Sequence, residues 1–190
     1  MILSGEEIRR LQGEEILIDP FDPQRLNPNS YNLSLHDELL VYEEVVLDSA
    51  CPNRFARLKI PAEGITLHPG QLYLGRTVER IESPQHVPLI QGRSSLARLG
   101  FFVCPGGSLG AVGYRGTWTL EMFVVQPVKI YPAMQACQIY FHQLGGELGD
   151  HGGGKYQDST DIEPSQMYLE FGRDSLNQQL ELSFEDLIRS

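Results

Sequence analysis

Short apolar runs separated by turn-forming residues dominate the chain. Leu33 and Leu35 alternate with polar partners. Leu39-Leu40-Val41-Tyr42, Val45-Val46-Leu47 and Leu58-Lys59-Ile60 are brief apolar segments. Ile65–Leu67, Leu72–Leu74, Val87–Gln91, Thr117–Val125 and Ala136–His142 continue the series. Gly, Pro, Asn and Asp fall between these runs at the intervals expected of strands and tight turns. Ile16-Leu17-Ile18 reads as a further strand, ended by Pro20 and Pro23. Helix signals are few. Ser4-Gly5-Glu6-Glu7 has the capping-box pattern, Ile8 and Leu11 supply an apolar stripe, and the helix should stop near Gly13. Ser94–Leu99, with serine caps in front and Gly100 behind, predicts a helix of a turn or two. Ser183–Ile188 predicts a terminal helix used for surface or subunit packing. Many short strands with little amphipathic helix predict a mainly β fold, a sandwich or a barrel, in one domain.

Composition narrows the setting. The chain has 190 residues, 41% hydrophobic and 21% charged, with 19 glycines and 12 prolines. That is enough to bury a core without disulfides or a structural metal. A net charge of −10 argues against a general electrostatic grip on nucleic acid or an anionic membrane. Cys51, Cys104 and Cys137 are widely spaced and form no CxxC pair, which fits a reducing compartment. No apolar run approaches the ~20 residues of a membrane span, and the N-terminus lacks the apolar core of a signal peptide. The expectation is a cytoplasmic protein with neither membrane nor nucleic-acid polymer as partner.

Charge is distributed unevenly. From Ser83 to Gly146 the sole acidic residue is Glu121, although the chain carries 25 Asp and Glu. The same stretch holds Arg93, Arg98, Arg115 and Lys129. A buried β core excludes carboxylates and explains the gap; an anion site built by Arg93, Arg98 and Arg115 explains it equally, and the two are compatible. Glu121 lies in a strand pattern in which Trp118, Leu120, Met122 and Val124 share one face and Thr117, Thr119, Glu121 and Phe123 the other. It is either a solvated outer-face residue or a functional carboxylate whose burial would raise its pKa toward that of a general base. In Gln91-Gly92-Arg93-Ser94-Ser95-Leu96-Ala97-Arg98, two hydroxyls and a helix start can face a phosphate while the arginines add charge-assisted bonds. A plain helix cap with exposed arginines accounts for the same residues.

Other chemistries fit less well. Gly149-Asp150-His151-Gly152-Gly153-Gly154-Lys155 nearly has P-loop spacing, but Tyr156 stands where Ser or Thr should hold magnesium and no apolar strand precedes it. A mobile lid whose Lys155 reaches phosphates, or a linker, fits this glycine-rich loop better. The five histidines are scattered, and no H-x-E or P-C-x-x-C element of a zinc deaminase is present. No G-x-S-x-G elbow marks a serine hydrolase.

Gly92-Arg-Ser-Ser-Leu-Ala-Arg-Leu-Gly100, followed by Gly113-Tyr-Arg-Gly116 and Thr119-Leu-Glu121, resembles the dCTP deaminases of the trimeric dUTPase-like superfamily. Met1–Ser4, Pro20-Phe21, Ser30–Leu35, Asp37-Glu38, His68-Pro69-Gly70 and Gly154-Lys-Tyr-Gln157 extend the likeness over about residues 1–170. The resemblance implies a domain over residues 1–171 with a distorted β-barrel or jelly-roll fold and a few short helices, and a C-terminal extension at residues 172–190. It implies a homotrimer with active sites at subunit interfaces, a deoxynucleoside triphosphate as substrate, magnesium carried on the triphosphate, and no zinc. By matching position, Glu121 takes the place of the catalytic glutamate, while Ser94 and Arg98 position water and polarise the site. Arg93 and Ser95 fall at phosphate-contacting positions, with Arg115 in the same basic set. Backbone around Cys104 to Gly107 would read the base edge, and Tyr114 would pack near the deoxyribose. Lys155, Tyr156 and Gln157 would belong to a lid over the triphosphate.

The chain also departs from the family pattern. Ala111 stands where the family's hairpin carries an Asp, Gly106-Gly107 replaces Thr-Ala, and Cys104 replaces a common His. The expected reaction is deamination of dCTP to dUTP and ammonia. The alternatives are a bifunctional deaminase–diphosphatase, an enzyme for a modified pyrimidine nucleotide, and a non-catalytic nucleotide-binding regulator. Ala111 weighs against the diphosphatase.

Overall fold

The computed structural model describes residues 1–104, 106–149 and 154–171. The predicted helix at Ser183–Ile188, the extension at 172–190 and the Asp150–Gly153 part of the glycine-rich loop lie outside the described residues. Helix α1 (Gly5–Leu11) begins where its capping box predicts, with the Glu7 N–H donating to Ser4 Oγ at 3.2 Å. Strands follow in order: β1 (Leu17–Asp19), β2 (Leu26–Asn27), β3 (Ser30–Ser34), β4 (Glu38–Tyr42), β5 (Phe55–Lys59), β6 (Ile65–Leu67), β7 (Tyr73–Ser83) and β8 (His86–Gly92). Helix α2 (Ser94–Ala97) precedes β9 (Phe101–Val103), β10 (Tyr114–Val124), β11 (Val128–Ile130) and β12 (Gln135–Gln143).

Among the described residues the strands form three sheets. One runs β5-β4-β7-β10-β9 with β1 also on β7, one runs β2-β3-β12-β8, and β11 pairs β6. An isolated antiparallel bridge, Leu35 to Thr77, ties the two larger sheets together. Leu33, Leu35, Ile81, Ile90, Leu120, Met122, Ile139 and Phe141 are fully buried in one core cluster. The strand pattern predicts this mainly β architecture, and the family resemblance its distorted, barrel-like form. No helix among the described residues is long and apolar enough to cross a membrane. All three cysteines are free.

Three local expectations need correction. Val45-Val46-Leu47 forms no strand; it is a surface loop in which Val45 is fully exposed. The serines do not cap α2: the cap residue is Arg93, which makes no side-chain capping bond. Strand β3 does not alternate between core and solvent: all five of its residues are buried, with the side chains of Ser30, Asn32 and Ser34 hydrogen-bonded to those of Gln138, Gln135 and Arg25.

One buried charge is built into the core. Glu79 on β7 is completely buried; its Oε2 accepts from the Ser34 N–H at 2.8 Å and its Oε1 from Arg25 Nη1 at 2.5 Å. Arg25 also donates to Ser34 Oγ. Both oxygens of the carboxylate are thereby satisfied, which a charge in this setting requires.

Candidate active site

The alternation of β10 builds the site. Trp118, Leu120, Met122 and Val124 are buried, and Thr119, Glu121 and Phe123 occupy the opposite face. Phe123 stacks on Phe102 of β9 with ring centroids 5.1 Å apart. Thr119 and Glu121 line a cavity of about 500 Å³. Leu74, the cross-strand partner of Glu121, forms part of its wall, and Gly107 and Ala111 another part. Tyr114 packs on Trp118 at a centroid distance of 4.7 Å, and its hydroxyl donates to the Thr117 carbonyl at 2.8 Å.

Glu121 is held tightly. A Cβ placed on Gly107 would lie 2.9 Å from its Oε1. Its Oε2 is buried and has no hydrogen-bond partner among the described residues. Burial pushes its pKa above the usual carboxylate range, with backbone hydrogen bonding and the Cys104 thiol acting in the opposite direction. Among the described residues no Lys, Arg or His is paired with it. A half-buried carboxylate with a raised pKa is a better proton acceptor than a solvated one, which is what a general base requires.

The segment 154–166 closes the cavity from one side. It lies parallel to the start of β10 through a Gly116–Ser159 bridge, with the Thr117 N–H donating to the Ser159 carbonyl at 2.8 Å. Gly116 is required here: its φ is 141°, and a Cβ would sit 2.8 Å from the Ser159 carbonyl oxygen. Further along, Gln157 Nε2 donates to the Gly113 carbonyl at 2.7 Å, the Glu163 N–H to Thr119 Oγ1 at 2.9 Å and the Ser165 N–H to the Tyr42 hydroxyl at 3.0 Å.

The structure gathers some of the sequence-predicted residues and separates others. Glu121, Gly107, Tyr114, Lys155, Tyr156 and Gln157 line the cavity. Lys155 is ion-paired with Glu170. Arg115 lies outside the lining and is tied to Asp158 at 2.8 Å, which holds its pKa above the usual value. Arg93, Ser94, Ser95 and Arg98 sit on or beside α2, also outside this cavity. Ser94, Ser95 and Arg98 are exposed, as are the nearby Leu99 (52%) and Val125 (62%).

A second carboxylate in the cavity escaped the sequence reading. Glu163 supplies it, and its Oε1 accepts from Ser159 Oγ at 3.1 Å and its Oε2 from Gln166 Nε2 at 3.3 Å. Thr119 anchors it. The alternation on β10 placed Thr119 beside Glu121, but nothing in the spacing of residues 119 and 163 announced their meeting. Among the described residues, no group of three or more His, Cys, Asp or Glu side chains comes together to hold a metal ion.

The family model described as dCTP deaminase-like matches residues 2–144. A protein of Rhodopirellula baltica named dCTP deaminase is 62% identical over 190 residues, covering 100% of this chain and 96% of its own. A protein of Clostridium acetobutylicum named dCTP deaminase, dUMP-forming, is 50% identical over 171 residues, covering 90% of this chain and 99% of its own. In structure, the chain is similar to the 2′-deoxycytidine 5′-triphosphate deaminase of Agrobacterium tumefaciens, with a TM-score of 0.59 and 20% identity over 74% of this chain. The match spans 47% of that longer chain and bears on the fold alone.

Proposed function

The chain belongs to the dCTP deaminase family, and from that premise we propose that it hydrolyses the 4-amino group of dCTP to give dUTP and ammonia. The observation that carries this reading is Glu121: a half-buried carboxylate, paired with no cation among the described residues, facing a cavity large enough for a nucleotide's base and sugar. Glu121 takes a proton from the water that attacks C4 of the cytosine. It returns one proton to N3 and helps deliver another to the departing amine, so that one water is consumed and one ammonia released. Tyr114 and Trp118 form an apolar wall against which the deoxyribose and base pack. The open backbone at Gly107 leaves room to read the base edge.

The phosphate and water-positioning groups come from a second copy of the chain. Arg93, Ser94, Ser95 and Arg98 stand outside their own cavity on a surface that also exposes Leu99 and Val125. Burying such side chains between subunits is favourable by about 25 cal/mol per Å². A homotrimer with each cavity completed by a neighbour brings these groups to the substrate. Arg115 and Lys155 would exchange Asp158 and Glu170 for phosphate oxygens when the triphosphate binds. Magnesium would arrive on the triphosphate, where it neutralises phosphate charge; the scattered acidic side chains suit that arrangement better than a protein cage. In this reading residues 1–171 are the catalytic domain, 172–190 are an extension, and the enzyme works in the cytoplasm.

A second reading, favoured by the dUMP-forming relatives, is that the dUTP is further cleaved to dUMP and pyrophosphate in the same site. One assay separates the two. With dCTP and magnesium, ammonia and dUTP in equal amounts without pyrophosphate support simple deamination, and dUMP with pyrophosphate supports the coupled reaction. Tight dCTP binding with no ammonia would overturn both.

A further inference from the structure

Among the described residues two carboxylates line the cavity, Glu121 and Glu163. The strand between them sets their separation. Thr119 and Glu121 share one face of β10, about 7 Å apart along the strand, and the Glu163 N–H donates to Thr119 Oγ1 at 2.9 Å. From there the Glu163 side chain turns to Ser159, whose Oγ donates to Glu163 Oε1 at 3.1 Å. Ser159 is itself tied to Thr117, which donates its N–H to the Ser159 carbonyl at 2.8 Å. The carboxylate is therefore drawn toward the Thr117 end of β10 and away from Glu121. Tyr114 stands at that same end, its hydroxyl donating to the Thr117 carbonyl at 2.8 Å. One carboxylate thus lies against the bare backbone of Gly107, and the other lies on the side of the Tyr114–Trp118 wall.

The hydrogen bonding of Glu163 is incomplete. Ser159 Oγ and Gln166 Nε2 each give it one neutral donor, whereas a carboxylate has about four acceptor sites. Among the described residues no Lys, Arg or His is paired with it; Lys155, which also lines the cavity, is paired with Glu170. A negative charge facing a polyanion opposes binding unless it accepts a hydrogen bond from that ligand. Apart from its phosphates, dCTP carries two donor groups, the 4-amino group and the 3′-hydroxyl. The amino group departs from C4, beside Glu121. The hydroxyl belongs to the sugar, which packs on Tyr114 and Trp118. Gly110 and Ala111, in the same wall, offer no side-chain acceptor.

We propose, on the deaminase reading above, that Glu163 is a specificity-determining residue: its carboxylate accepts the 3′-hydroxyl of the deoxyribose and so selects nucleotides that carry it.

The test compares dCTP with 2′,3′-dideoxycytidine triphosphate, which lacks only that hydroxyl. Dissociation constants of both, with magnesium, are measured by calorimetry in a Glu121→Gln parent and in the same parent carrying Glu163→Ala or Glu163→Gln. A hydrogen bond to a charged acceptor favours dCTP in the parent by about thirtyfold. Alanine removes the acceptor, and the preference falls to about twofold or less. Glutamine keeps a neutral acceptor for Ser159 and for the sugar, and leaves about fivefold. Loss of the negative charge acts alike on the two triphosphates, as does any loosening of segment 154–166, so neither moves the ratio. A parent that binds both nucleotides equally, or an alanine variant that keeps the parent ratio, overturns the sugar contact. If the alanine variant does not fold, an unchanged ratio in the glutamine variant overturns it. Ammonia release from dCTP by the chain with Glu121 intact is measured separately. Its absence overturns the deaminase reading, and the binding ratio still decides the role of Glu163.

Discussion

Gly107 and Glu121 approach so closely that no methyl group fits between them: a Cβ on residue 107 would stand 2.9 Å from Oε1 and 3.4 Å from both Cδ and Oε2 of the carboxylate. The φ of Gly107 is not in the left-handed region, so alanine is compatible with the backbone there. The clash falls on the far end of a side chain, which can swing aside. Gly107→Ala should therefore fold with a nearly unchanged melting temperature and lose activity. A displaced general base costs about 10–100-fold in kcat. Parallel thermal melts and dCTP turnover measurements check this; a stable variant with full kcat would show that Glu121 reacts from another position.

Glu121→Gln should abolish deamination while retaining triphosphate binding, and it should also stabilise the fold. Burial raises the Glu121 carboxyl above its ordinary 4.5. A carboxyl with a raised folded-state pKa contributes stability that is complete below pH 4.5 and is lost as the pH climbs through the folded value. Glutamine undergoes no such loss. At pH 7 the variant should be the more stable by up to about 1 kcal/mol, and the gap should close as pH falls toward 4.5. Denaturant titrations of both proteins at the two pH values read this directly.

Thr119→Val should loosen segment 154–166 without disturbing β10. Thr119 Oγ1 accepts the Glu163 N–H at 2.9 Å, and valine is close in shape but offers no oxygen. Losing one such bond costs about 1 kcal/mol. KM for dCTP should rise about fivefold on that figure, with a smaller change in kcat, and limited proteolysis should cut within 154–166 sooner than in the wild type. Unchanged KM and cleavage rate would mean that the segment is held without Thr119.

Much of this architecture was legible in the chain, for physical reasons. Strand β10 buries one face and turns the other to a cavity, so its alternation marked both the strand and the face that carries Glu121. Helix α1 announced itself because its cap is a local interaction. Strand β7 was read at only its first residues, since Arg76, Glu79, Arg80 and Glu82 disguise a strand central to its sheet. Strands β9 and β11 are three residues each, too short to show a period. Val45-Val46-Leu47 misled because apolarity alone does not say what covers it. Within the candidate site, the β10 alternation marked Glu121 and the glycine-rich loop marked Lys155, whereas Gly107 and Tyr114 came only with the family resemblance. Glu163 was missed because its place is set by one hydrogen bond spanning residues 119 to 163, a tertiary contact with no local trace.

Arg25→Met should destabilise the fold in a pH-dependent way. Glu79 is fully buried, and Arg25 is its cationic partner at 2.5 Å. Burial already pushes the Glu79 carboxyl up, against the hydrogen bonds of Ser34 and the charge of Arg25. Removing the guanidinium leaves the Ser34 contacts as partial compensation, so the carboxyl rises further and becomes neutral more readily. A buried charge stripped of its partner costs about 3 kcal/mol, the low end of the usual range because Arg25 is 26% exposed. That penalty belongs to the ionised form. It should be fully expressed at pH 7, diminish as the pH falls through the raised folded value, and nearly vanish below 4.5. The double variant Arg25→Met, Glu79→Leu removes both charges and should recover most of the lost stability, leaving the Ser34 N–H to find another acceptor. Urea denaturation of the wild type, the single and the double variant at pH 7, at pH 5 and below pH 4.5 measures all of these terms. A single variant as stable as the wild type at pH 7 would mean that Glu79 is already neutral in the folded protein and that Arg25 serves only as a donor to Ser34.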